Sequence, residues 1–209
     1  MRALLLLLLL VSKNVFCQGN LVWEPGLAPE RLAGQQVTHP GVAVVGPASN
    51  ALTIGLIDSG ITPTHPQLGP YLAAARDFTG EGLDDVLGHG TALGLIAVFD
   101  HPDAGIKVVS AKVAERSGAV REQALLDAID WSVRRGAVAV HIGASFQGTR
   151  RRYAALCEAI ARHWNVVFFA AVATFSPPRE QYPANCRLGN LHAVWADPSQ
   201  PREFNLVLK

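Results

Sequence analysis

Hydrophobic and polar positions alternate in blocks from Leu52 onward, and the blocks switch between two periods. Leu52–Ile57 is a short apolar run that reads as a strand. His89–Phe99, HGTALGLIAVF, has helical length and small residues that permit close packing. Ile106–Val113 is β-branched and strand-like. Val120–Arg135 spaces Ala124, Leu125, Ala128, Ile129 and Val133 at helical intervals, with two arginines in its last turn and Gly136 to end it. Val138–Ile142 reads as a strand, Tyr153–His163 as a helix, Val166–Val172 as a buried strand and Leu191–Trp195 as a weaker one. Strands that alternate with helices predict an α/β fold, a mostly parallel sheet covered on both faces.

The first fifty residues follow another pattern. Met1-Arg2 is basic, Ala3–Val11 is unbroken apolar sequence, and Ser12-Lys13-Asn14 ends it. This apolar run is shorter than the roughly 20 residues that span a bilayer, so 1–19 reads as a secretory signal peptide. Cleavage near Cys17 or Gly19 suits it, and the bulky Phe16 argues against a lipid anchor on Cys17. The leader predicts a secreted or periplasmic protein, and no later segment is long enough to span a membrane. Residues 20–50 scatter Pro and Gly with little periodicity and read as an N-terminal extension, with one short strand at Val42–Val45. The organised domain is 51–209.

Composition narrows the class. The chain has 209 residues, about half of them hydrophobic, which suits one domain. Eighteen basic residues against 17 acidic ones give a net charge of +1. No basic stripe marks a nucleic-acid partner. Arg134-Arg135 and Arg150-Arg151-Arg152 read as solvated helix faces or ends. Once the leader is removed, Cys157 and Cys186 remain. Their spacing carries no metal signature and leaves a disulfide open. His65, His89 and His101 lack zinc-ligand spacing, and no Gly-rich phosphate loop follows a strand.

The chemistry gathers at two places. Asp58 ends the first strand, and an ionised carboxylate there is costly without a partner. Taken alone, Asp58-Ser59-Gly60 is also ordinary turn chemistry. Thirty-one residues later His89 opens a helix between Gly88 and Gly90. In an α/β sheet, ligands bind outside the carboxyl ends of the strands. A strand-end aspartate and a helix-start histidine can meet there. The aspartate would orient one ring nitrogen and leave the other to act as a base.

LIDSGI together with GHGT resembles the Asp and His motifs of the subtilisin-like serine proteases, in the chain order of that family. The resemblance extends from about Leu52 to Ala196. It implies a three-layer subtilisin-like fold, C-terminally shortened, and a serine endopeptidase label. Asp58 would orient the histidine and His89 would be the general base. Thr174 would stand at the oxyanion position, where the family has asparagine. Gly143, Ala144 and Ser145 would form the edge that binds substrate backbone.

Several departures accompany it. The family's nucleophile lies in a Gly-Thr-Ser stretch that this sequence lacks. Ser49, Ser59, Ser110, Ser117, Ser132, Ser145, Ser176 and Ser199 all have other contexts. Gln67 stands where a calcium-binding aspartate often follows. Asp77, Asp84 and Asp85 read mainly as loop solvation, so no cofactor is expected and calcium has only weak support. The His helix is one residue shorter than the family run, which would rotate its later buried face by about 100°. Residues 20–50 are too few for a folded propeptide.

These features predict a degenerate or truncated subtilase that keeps Asp and His, lacks the nucleophilic Ser and is proteolytically inactive. One alternative is an active protease completed by a missing C-terminal segment or by a partner protein, which would cover the shortened C-terminal side. The other is an exported module that binds extended polypeptide without cutting it.

Overall fold

The computed structural model describes residues 51–100, 104–172, 180–196 and 206–208. The leader, the extension with the strand expected at 42–45, and Thr174 lie outside the described residues. The strands are β1 (Thr53–Asp58), β2 (Leu72–Asp77), β3 (Lys107–Lys112), β4 (Ala139–Ile142), β5 (Phe146–Gln147), β6 (Val167–Val172), β7 (Gln181–Tyr182), β8 (Leu191–Ala196) and β9 (Leu206–Leu208). The helices are α1 (His89–Phe99), α2 (Glu122–Arg134) and α3 (Ala154–Arg162). The main sheet runs β2-β3-β1-β4-β6-β8-β9, and β5 pairs with β7 in a separate ribbon. All neighbours in the main sheet are parallel except β8 and β9.

Each parallel strand feeds both faces of the sheet, which is why the strands read as near-continuous apolar runs. Ile54 and Leu56 of β1, Val108 of β3 and Phe169 of β6 pack with Leu93, Ala97 and Val98 of α1. Their alternates Ile57, Val109, Val140, Ile142 and Phe168 pack with Leu125 and Ile129 of α2 and Leu156 and Ile160 of α3. This is the expected three-layer α/β arrangement. In α2 the buried set Ala124, Leu125, Ala128, Ile129, Trp131 and Ser132 forms one stripe. Gly136 adopts φ 87° just after it, as a helix-ending glycine does.

The shorter α1 still presents one face. Gly90, Thr91, Leu93, Gly94, Ala97 and Val98 are its buried residues, a spacing that follows helical period. The small residues allow the approach: a Cβ on Gly94 would stand 2.8 Å from Ile61 Cδ1.

Periodicity did not reveal β2, β5, β7 or β9. β2 is an edge strand of small and charged residues, LAAARD, without a buried run. β5 and β7 have two residues each, too few for a period. Tertiary contacts hold them instead. Phe146, Tyr153 and Tyr182 stack in series, with ring centroids 5.5 Å apart at each step. The Ser145 hydroxyl donates to Gln181 Oε1 at 2.7 Å.

Cys157 of α3 is bonded to Cys186 in the turn before β8, with Cα atoms 5.3 Å apart. Both are buried. Their sequence separation of 29 sets the entropy that the cross-link removes from the unfolded chain. The chain-entropy relation gives about 3–4 kcal/mol for such a loop. Urea denaturation of the Cys157→Ala/Cys186→Ala double variant checks this. A loss below about 1 kcal/mol would mean that packing around the aromatic stack holds this segment unaided.

Candidate active site

The strand order reverses beside β1. The chain leaves β1 toward β2 and leaves β4 toward β6, so the carboxyl ends of β1 and β4 form the switch point at which α/β sheets bind ligands. Asp58 is the last residue of β1, and His89 is the first of α1. Their side chains meet: His89 Nδ1 lies 2.7 Å from Asp58 Oδ1. The aspartate side chain is 4% exposed and the histidine 13%. The same oxygen accepts the Ser59 N–H at 2.7 Å.

Burial pushes the Asp58 carboxyl upward. The charge and hydrogen bond of His89, with the Ser59 N–H, more than offset this, and its pKa falls below the usual carboxylate value. An ionised Asp58 selects the tautomer of His89 with the proton on Nδ1, which leaves the lone pair on Nε2.

The start of α1 is fixed by side chains from outside the helix. Ser59 Oγ accepts the Gly90 N–H at 2.9 Å. Asp85 accepts from Gly88 N, Thr91 N and Thr91 Oγ1 at 2.7–2.8 Å. These contacts satisfy helix N–H groups that have no intrahelical partner. Gly90 is required by contact, since a Cβ there would fall 2.2 Å from the Gly60 carbonyl oxygen. Buried Lys112 donates to the Asp84 carbonyl at 2.6 Å and ties the loop before the helix to β3.

Asp85 and Asp77 therefore differ from the solvated residues expected of them. Asp77 accepts from Thr79, Gly80 and Gly82 backbone and from the Thr79 hydroxyl. Both carboxylates hold backbone turns. Among the described residues no group of three or more acidic, His or Cys side chains is arranged to hold a metal ion.

Gly143 follows β4, and its N–H donates to the Ile57 carbonyl. It stands against the pair: a Cβ there would lie 1.8 Å from Asp58 Oδ2 and 3.6 Å from His89 Cε1. Ala144 is buried and Ser145 is bonded to Gln181. Thr174 falls outside the described residues.

Sequence reasoning missed three residues at the site. Ser59 and Asp85 lie inside stretches read as turn and loop. The third is His141, whose signal was a lone polar residue in the strand Val138–Ile142. Burial is the largest influence on its ring and lowers its pKa to about 4; Asp58 acts against this and His89 adds to it.

These features define an α/β domain with an Asp–His pair at its switch point. No family model matches the sequence, and no curated protein does. Solved structures do match in fold. A lanthipeptide protease shares 18% identity over 68% of this chain and 47% of that one, with a TM-score of 0.53. The psychrophilic subtilisin-like protease Apa1 from the Antarctic psychrotroph Pseudoalteromonas sp. AS-11 shares 21% identity over 68% of this chain and 35% of that one, also at 0.53. Fervidolysin from Fervidobacterium pennivorans, described as a keratinolytic enzyme related to subtilisin, shares 19% identity over 66% and 24%, at 0.51. The chain has the subtilisin-like fold and spans less than half the length of these structures.

Removing the Asp85 carboxylate in Asp85→Ala should cost about 1–3 kcal/mol in chemical denaturation. It should also broaden the low-field proton signal of His89 Nδ1–H. A sharp, unshifted signal would show that Ser59 alone fixes the helix start.

A second prediction concerns acid. An unfolded histidine takes up its proton near pH 6.5, whereas folded His141 resists until about 4. The stability contributed by the neutral ring is fully present above pH 6.5 and is lost as pH falls through about 4. The loss is at most about 3 kcal/mol. Denaturation of wild type and His141→Leu across that window checks it, and an equal slope in both would assign the acid sensitivity elsewhere.

Proposed function

We propose that this chain is a subtilisin-like serine peptidase domain that keeps the base half of the catalytic machinery and does not hydrolyse peptide bonds unaided. The observation that carries the reading is the 2.7 Å contact between His89 Nδ1 and Asp58 Oδ1 at the switch point. In this reading Asp58 orients His89 and stabilises it when protonated, and His89 Nε2 is the base for a hydroxyl. Gly143, Ala144 and Ser145 edge the cleft for an extended polypeptide. Thr174 takes the oxyanion position. A threonine reaches less far than asparagine, and losing one such donor typically lowers turnover ~100–1000-fold.

The described serines support the absence of a nucleophile. Ser59 is bonded to the start of α1 and Ser145 to Gln181. Ser117 accepts the Ala119 N–H in a turn. Ser110 and Ser132 are buried, in β3 and α2. None occupies the start of a helix facing His89. The export implied by the leader is supported by the buried Cys157–Cys186 disulfide, which suits an oxidising compartment. Among the described residues no helix is long and apolar enough to cross a membrane.

The intact pair also favours a second reading, in which another polypeptide or a further C-terminal segment supplies the serine. An exported peptide-binding module is the third.

A fluorophosphonate probe separates them, read by intact mass beside His89→Ala. No adduct on folded protein is the expected result. A stoichiometric adduct that disappears in His89→Ala would overturn the inactive reading. An adduct that forms only after a second polypeptide is added supports the completed enzyme. Saturable peptide binding without cleavage, retained in His89→Ala, supports the binding module.

A further inference from the structure

The strand beside Asp58 carries a second histidine. His141 of β4 lies opposite Leu56 of β1 in register. Alternation sends Ala139 and His141 to the face that bears α1, where the Asp58 side chain meets His89. Gly143 follows His141 by two residues and abuts the carboxylate. His141 therefore sits one pleat behind Asp58 on the neighbouring strand.

Two polar atoms are enclosed there without a hydrogen-bond partner among the described residues: Asp58 Oδ2 and His141 Nε2. The first is an acceptor and carries charge. The second carries a proton in one of the two neutral tautomers of imidazole. Buried polar atoms are seldom left unpaired, and a positive dipole end beside a carboxylate is the favourable arrangement. Nothing projects from position 143 to separate them, because that residue is glycine.

We propose that His141 is a positioning residue for Asp58: it holds the tautomer with the proton on Nε2 and donates toward Asp58 Oδ2, relayed by one enclosed water. One carboxylate is then braced by two imidazoles. Among the described residues, the ionisable groups acting on the His141 ring are Asp58 from β1 and His89 from α1. Burial and His89 keep the ring neutral. A neutral ring braces the carboxylate and competes with His89 for its charge less than a second cation would. His141 acts through Asp58 and is not itself a catalytic residue.

The proposal rests on reading Asp58 and His89 as a working pair, but its test needs no turnover. Imidazole nitrogen NMR is recorded on the full chain, with His141 assigned by the loss of its signals in His141→Gln. Nε2 should appear as the protonated nitrogen of a neutral ring. In His141→Leu the carboxylate loses a donor that offset part of its charge. The His89 titration midpoint should then move to higher pH by about half a unit. His141→Gln returns an N–H at similar reach and should restore the midpoint. A space-filling histidine would leave it unmoved in every variant. A proton on Nδ1 of His141, or an unchanged His89 midpoint in His141→Leu, overturns the proposal. If His141→Leu does not fold, the wild-type tautomer decides. Absence of proteolysis leaves these readouts intact, so this proposal and the functional reading fail separately.

Discussion

Asp58 is a carboxylate buried at the tip of a central strand, and the arrangement of the site follows from the need to satisfy it. Two donors converge on Oδ1, one from the adjacent Ser59 backbone and one from His89 across the fold. Breaking a buried pair by removing one partner strands an uncompensated charge, which is costlier than never having made it. The helix that brings His89 must therefore start at one place. Ser59 Oγ on Gly90, Asp85 on Gly88 and Thr91, and the contact of Gly90 with Gly60 set that place. The residue beside the carboxylate thus also holds the helix whose histidine bonds to it.

The two histidines near this carboxylate differ because their surroundings differ. His89 reaches Oδ1 directly at the helix start. His141 projects from the interior of the sheet, where burial outweighs the attraction of Asp58 and drives its ring toward the neutral form. The same carboxylate thus acts on two imidazoles in different surroundings.

The segment that follows β4 is held by long-range contacts. The stack of Phe146, Tyr153 and Tyr182 joins β5, the start of α3 and β7, and the Cys157–Cys186 bond fixes α3 to the turn before β8. Segment 143–147 runs through this cluster, so its path past Asp58 is set by packing on the far side of the sheet. Structures below 25% identity reproduce the architecture. A fold tolerates such divergence because many apolar residues of suitable size satisfy a buried strand, whereas function depends on a few side chains placed upon it.

The sequence by itself determined the α/β class, the parallel strands at Leu52, Ile106, Val138, Val166 and Leu191, the three helices and the candidate Asp–His pair. Each is a local signal: an apolar run, a helical spacing, a helix-ending glycine, or charged and glycine residues at an element end. Only the tertiary structure decided the rest. It showed the edge strand β2 and the two-residue strands β5 and β7, which lack a period of their own. It turned Asp77 and Asp85 from solvated residues into backbone acceptors, closed the Cys157–Cys186 bond, and set His141 opposite Leu56 on the strand beside Asp58. These features join residues distant in the chain. Their cause is contact between surfaces that exist only once the strands have taken their order, and no local pattern of hydrophobic and polar positions encodes it.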